Sequence, residues 1–338
     1  MKEAKFYYPL DNERGTVKCT LCSHGCIIQD RKRGLCGVRE NREGVLYSLV
    51  YGNLVALNID PIEKKPLFQF LPGSLSFSIA TMGCNFRCRH CQNAAISQVP
   101  KDLSLEPSSF YSPGQIVGET LRLGCKSISY TYTEPTVFLE FALDTAILAR
   151  QKAIKNVFVS NGYTSEEATK AIAPYLDANN IDLKGDDEFY KTICGARLQP
   201  VLDTIKRMKD SNVWVEITTL IIPTLNDSED FLHWAAGFIK SVDPAMPWHI
   251  TRFYPTYQLT HLPPTPLETL QRAREIGLKT GLKYVYTGNV PGDGGEHTYC
   301  PNCKRVVIER LGFAVRSIHI KDSRCTYCGY TIDGVGLP

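Results

Sequence analysis

No stretch of the chain approaches the roughly 18 consecutive apolar residues of a membrane-spanning helix, which argues against a helical membrane protein. The opening segment, MKEAKFYYPLDNERG, has no apolar core of a secretory signal, so the expected location is cytoplasmic. A formal net charge of +3 over 338 residues is too small to make nucleic acid or an anionic membrane the default partner. Low-complexity segments are absent, and no internal repeat is longer than a pair of cysteines. Hydrophobic residues at 43% and charged residues at 22% suit a soluble protein with a substantial core.

Cysteine, by contrast, is abundant and grouped. Of 13 cysteines, four are Cys19, Cys22, Cys26 and Cys36, three are Cys84, Cys88 and Cys91, and four are Cys300, Cys303, Cys325 and Cys328. Cys125 and Cys194 remain and read as packed thiols. Disulfide-rich chains are typically short and secreted, whereas tight C-x2-C pairs in a leaderless chain read as metal ligands.

Between these groups strands alternate with helices. Strand patterns fall at 76–82, 127–132, 156–162, 179–185, 213–223, 248–255 and, more briefly, 283–288. Helical spacing follows most of them. SEEATKAIAPYL, after the third strand, opens with a serine cap and two glutamates. This alternation predicts an α/β protein with parallel strands and right-handed crossovers. Six or seven units are too few for a closed eightfold barrel, and an open partial barrel and a doubly wound sheet both fit the pattern. In either, chemistry gathers at the carboxyl ends of the strands.

The C-terminal group, CPNC and CTYC with 21 residues between the pairs, predicts a zinc ribbon. Each C-x2-C presents two thiolates to one ion, two such knuckles complete a tetrahedron, and the glycine after Cys328 suits the tight turn. The same ligands can hold a single iron. The N-terminal group, CTLCSHGCIIQDRKRGLC, offers four thiolates to structural zinc, the first reading, or to an auxiliary iron–sulfur cluster. His24 could replace one of them. The central group, in MGCNFRCRHCQN, has only three cysteines, spaced C-x3-C-x2-C. Three protein ligands are the pattern of a working metal centre with one open position.

This last motif, at the end of the first strand, resembles that of the radical S-adenosylmethionine (radical SAM) enzymes. The resemblance implies a [4Fe–4S] cluster on Cys84, Cys88 and Cys91 whose open iron binds SAM. Reductive cleavage then gives a 5′-deoxyadenosyl radical that abstracts a hydrogen atom. Other stretches resemble the family position by position. His90 stands where an aromatic residue near the adenine is usual. YTYTEPT resembles the Gly-Gly-Glu-Pro motif, making Thr133 and Glu134 candidates for the SAM amino group, with Tyr132 and Thr133 in place of the glycines. SNGY offers Ser160 and Asn161, and IDLKG resembles the Asp-Leu-Lys of the glycyl-radical activating branch, offering Asp182 and Lys184. His249 and Arg252 of WHITRFYP are expected to face the same pocket. Lone polar residues at strand ends are, however, more often caps or satisfied core groups.

DPIEKKPLFQFLPGS, GCNFRCRHCQNAAISQ and YVYTGNVPG are similar to the AmmeMemoRadiSam system radical SAM enzymes, relatives of pyruvate formate-lyase activating enzymes. That resemblance implies a partial (βα)6 TIM-like barrel over 76–290, an N-terminal cysteine-rich module over 1–75 and a C-terminal zinc-ribbon-like module over 296–338. It further implies an electron donor such as flavodoxin or ferredoxin and, in the activating version, a protein substrate. The rival reading is a zinc-binding protein-interaction module without SAM cleavage.

Overall fold

The computed structural model describes residues 1–10, 15–100, 102–105 and 110–338. Its centre is an eight-stranded sheet. The strands are β1 (Leu54–Pro61), β2 (Leu75–Thr81), β3 (Ser127–Tyr130), β4 (Lys155–Ser160), β5 (Ala178–Asp182), β6 (Trp214–Ile221), β7 (Trp248–Arg252) and β8 (Val285–Gly288). From β2 to β8 all pairings are parallel and neighbours follow strictly in chain order, while β1 pairs antiparallel with β2.

That order decides between the two architectures the alternation allows. A doubly wound sheet needs a point where strand order reverses, so that helices cover both faces. Here nothing reverses, and right-handed crossovers put every helix on one side, as in a barrel. The crossover helices are α1 (Pro113–Arg122), α2 (Leu139–Gln151), α3 (Glu166–Ile172), α4 (Gln199–Asp210), α5 (Glu229–Val242) and α6 (Leu267–Thr280). Six strand–helix units and a seventh parallel strand therefore form an open, barrel-like α/β sheet.

Local sequence accounts for the helix ends. Ser165 caps α3 by accepting from Ala168 N, and Ser228 caps α5 by accepting from Phe231 N. Ser112 and Gln115 form a reciprocal capping box at α1. The strands β3 and β5 are buried nearly throughout, as parallel strands covered on both faces must be.

The ends of the chain pack onto this sheet. Strand β1, although within the expected 1–75 module, hydrogen-bonds into the barrel sheet. The segment after it closes the floor: Phe68 N and Gln69 N donate to Glu216 of β6 at 2.9 Å, and Asn180 of β5 donates to Pro66 O at 2.8 Å. The three-stranded sheet of Thr298–Tyr299, Val306–Leu311 and Ala314–Ile318 docks on that floor through buried Arg310, which donates to Phe68 O at 2.6 Å and lies 3.6 Å from Glu63. No helix among the described residues is long and apolar enough to cross a membrane.

Candidate functional site

The three central cysteines occupy the loop that leaves the carboxyl end of β2. Gly83 opens this loop at φ +100°, and a Cβ there would lie 2.5 Å from Val38 and 3.0 Å from Cys36 O. Only glycine lets the loop press against the N-terminal module so closely. Cys88 is buried, and Cys84 and Cys91 are half-buried. Donors converge on the sulfurs: Phe86 N to Cys84 Sγ at 3.3 Å, Asn161 Nδ2 to Cys84 Sγ at 3.8 Å, and Ser97 Oγ beside Cys91 Sγ at 3.1 Å. Such donors stabilise thiolate over thiol, as metal ligation requires.

The next two strand ends supply the carboxylate. Glu134 Oε1 accepts from Thr136 N at 3.0 Å, Thr136 Oγ1 at 2.6 Å and Ser160 Oγ at 2.8 Å; Oε2 accepts from Asn161 N at 2.8 Å. Burial pushes the Glu134 carboxyl up, while these donors pull it back towards the charged form. Asn161 Nδ2 also donates to Asn85 Oδ1 at 2.8 Å, tying the carboxylate to the residue after Cys84. Thr133 donates to Thr81 O at 2.9 Å and so joins the ends of β2 and β3.

Tyr132, standing where the resemblance expects glycine, takes φ +62°. The left-handed backbone that glycine would favour is thus kept by a bulky residue. The phenol is anchored on the Asp60 carboxylate, and Lys65 Nζ lies 4.5 Å from the ring centroid.

On the other side of the triad, Lys184 pairs with Asp182 at 2.7 Å. Burial opposes the Lys184 charge, but Asp182 and the thiols of Cys88 and Cys194 outweigh it and raise its pKa. A hydrogen bond with Cys194, together with burial, pushes the Cys88 thiol up. His90 lies against Phe189, with ring centroids 5.8 Å apart. Burial, and then Lys184, lower its pKa to about 3, so the ring is neutral near pH 7. Its Nδ1 is buried without a partner among the described residues.

Cys84, Cys88, Cys91, His90, Glu134, Ser160, Asn161, Asp182 and Lys184 thus gather around one loop. His249 and Arg252 do not join them. His249 is the second residue of β7, and its Nε2 lies 2.6 Å from the buried Glu216 carboxylate that also holds the floor segment. Arg252 does end β7, but it donates to Thr265 O at 2.8 Å and lies over the Tyr254 ring. Two contributors are not evident from spacing. Asn85 has no motif to mark it, and Cys194 comes beside Cys88 only because the Tyr190–Cys194 turn folds back so that Arg87 N donates to Cys194 O. A cavity of about 570 Å³ lies at the opposite end of the sheet, by Lys155, Asp177 and Trp214 at the starts of β4, β5 and β6.

The C-terminal cysteines form a second, closed site. All four Sγ atoms lie within 4.8 Å of one another, with Cys300–Cys328 at 3.7 Å and Cys303–Cys325 at 3.8 Å. The two knuckles match: Lys304 N donates to Cys300 O and Gly329 N to Cys325 O, at φ +61° and +75°. The expected glycine after Cys328 is therefore used for its left-handed turn. Backbone N–H of Tyr330 and the Asn302 amide lower the Cys328 pKa to about 6.

The profile described as "Radical SAM superfamily" matches residues 78–235. The chain is 48% identical over 98% of its length to uncharacterized protein MJ0808 of Methanocaldococcus jannaschii, 99% of which is covered. It is 25% identical to the pyruvate formate-lyase-activating enzyme of Clostridium pasteurianum, over 47% of this chain and 67% of that one. SuiB of Streptococcus suis, solved bound to S-adenosylmethionine, shares the fold at a TM-score of 0.51 and 15% identity, over 68% of this chain and 53% of that one. This chain belongs to the radical SAM superfamily and is an enzyme. The family implies SAM and a [4Fe–4S] cluster, which the donor-lined triad fits, and the interaction-module reading is not favoured.

Proposed function

We propose that this enzyme cleaves SAM reductively at a [4Fe–4S] cluster held by Cys84, Cys88 and Cys91. When bound, the cluster supplies the electron that yields methionine and a 5′-deoxyadenosyl radical for hydrogen abstraction. The observation that carries this reading is the Glu134–Asn161–Asn85 chain of hydrogen bonds, which sets a buried carboxylate beside the three-thiol loop. Glu134 would hold the SAM ammonium group, with Ser160 and Asn161 fixing its orientation. Thr133 would keep the loop in place. Neutral His90 and the Asp182–Lys184 pair would line the adenosine or substrate side, and Arg252 the rim. The similarity to activating enzymes favours a protein substrate.

On this reading the electron comes from flavodoxin or ferredoxin in the cytoplasm, the C-terminal cysteines hold zinc, and 1–75, 76–290 and 296–338 act as module, barrel and ribbon, with β1 of the first lent to the barrel sheet. The test is the electron paramagnetic resonance spectrum of the reduced, reconstituted protein. SAM at a concentration that just saturates the parent should change its spectrum and change that of Glu134→Gln much less. A parent spectrum indifferent to saturating SAM would overturn the reading.

A further inference from the structure

Cys19, Cys22, Cys26 and Cys36 surround one cavity of about 20 Å³, whose wall also includes Arg39 and Asn85. Thiolates closed on one zinc or iron stand about 2.3 Å from the centre. The C-terminal cysteines show that spacing, with sulfur pairs at 3.7 and 3.8 Å. The N-terminal four differ: they line a cavity that admits a water-sized sphere. Moreover, among the described residues only the C-terminal group brings three or more ligating atoms within 4.8 Å of one another. The Cys84, Cys88 and Cys91 triad is wide in the same sense. One chain thus contains a tight four-thiol set and two wide sets.

Two residues of the cavity wall also carry N–H donors without a partner among the described residues. Arg39, 1% exposed, pairs with Glu140 through its terminal nitrogen, yet its Nε is buried without a partner. Asn85, 2% exposed, uses Oδ1 to accept from Asn161 while its Nδ2 is likewise unpartnered. Two residues lining this thiol cavity thus each hold a buried N–H that an anionic acceptor close by would satisfy, and an unsatisfied buried donor is costly. Thiolate and bridging sulfide are such acceptors.

We infer that the N-terminal cysteines hold a sulfide-bridged iron cluster, a second iron–sulfur centre, in place of structural zinc. Asn85 gives the two centres a common wall: it follows Cys84 and lines the second cavity. His24 Nε2 is held by Asn85 O at 2.8 Å and its ring packs on Tyr163.

The test uses the full chain and its Cys84→Ala/Cys88→Ala/Cys91→Ala variant, each reconstituted anaerobically with ferrous iron and sulfide, desalted, and assayed for iron, acid-labile sulfide and zinc. The variant is expected to keep about a third to a half of the parent's iron, matched one for one by sulfide. A Cys22→Ser/Cys26→Ser variant should show the complementary loss. Circular dichroism identifies whichever variant is folded, and either alone decides. A triad variant with no iron, with iron lacking sulfide, or with zinc at two sites per chain would overturn the proposal. The readout is metal content, so it is independent of whether the enzyme cleaves SAM.

Discussion

The side-chain carboxylate of Glu134, at the end of β3, accepts the backbone N–H of Asn161, at the end of β4, at 2.8 Å. One contact thereby fixes the relative height of the two strand ends next to the cysteine loop. Glu134→Gln should weaken SAM binding about 10- to 100-fold, the worth of a hydrogen bond to a charged group. Equilibrium dialysis against labelled SAM measures this, with the cluster content of the two proteins matched.

Arg39 and Glu140 are each 1% exposed and 2.9 Å apart, joining the N-terminal module to α2. Removing one partner of such a pair strands a buried charge. Glu140→Leu should cost about 3–5 kcal/mol of stability. The double variant Arg39→Met/Glu140→Leu should recover most of the loss. Urea midpoints of the three proteins check both statements.

Asp60 accepts from Lys64 at 2.8 Å, Lys65 at 2.6 Å and the Tyr132 phenol. Burial opposes its charge, but these donors outweigh burial and hold the carboxyl below the ordinary 3.8. A carboxyl lower in the folded than in the unfolded chain contributes stability above pH 3.8 that is lost only as pH falls further. Asp60→Asn leaves Lys65 buried without its anion and should cost about 3 kcal/mol at pH 7. On the acid side the deficit should close only below the ordinary carboxyl value, and on the alkaline side it should shrink towards pH 8, because burial lowers the Lys65 pKa to about 8 and the stranded lysine loses its charge there. A deficit that already closes as pH falls from 7 to 5 would contradict this.

Cys328→Ala removes one corner of the closed four-thiol site. The variant should lose the zinc proposed for this site and expose residues from about 296 onward to protease, while the barrel stays folded. Limited proteolysis with zinc analysis reads both. Unchanged zinc and protease resistance would contradict a closed single-ion site.

All seven parallel strands were legible in the sequence, because each is a short apolar run and most are followed by a helical pattern, as Ser165 opens α3. Strand order was not. Alternation implies parallel pairing, but only the hydrogen-bond ladders show that no strand reverses the winding. The cysteine groups could be read because metal ligands must be close in sequence or paired across knuckles. His249 misled, since a polar residue in the last strands looks functional until the buried Glu216 facing it is known. Asn85 and Cys194 act through tertiary contacts that leave no spacing pattern. The wide sulfur spacing at the N-terminal group was likewise invisible, because zinc and iron–sulfur centres accept the same four cysteines.

The most direct test of the central claim is anaerobic. The reconstituted parent and its Cys88→Ala variant are incubated with SAM and dithionite, and 5′-deoxyadenosine is quantified. The account predicts product from the parent and none from the variant, with circular dichroism unchanged between them. Absence of product from the parent at full cluster occupancy, or equal product from both proteins, would contradict it.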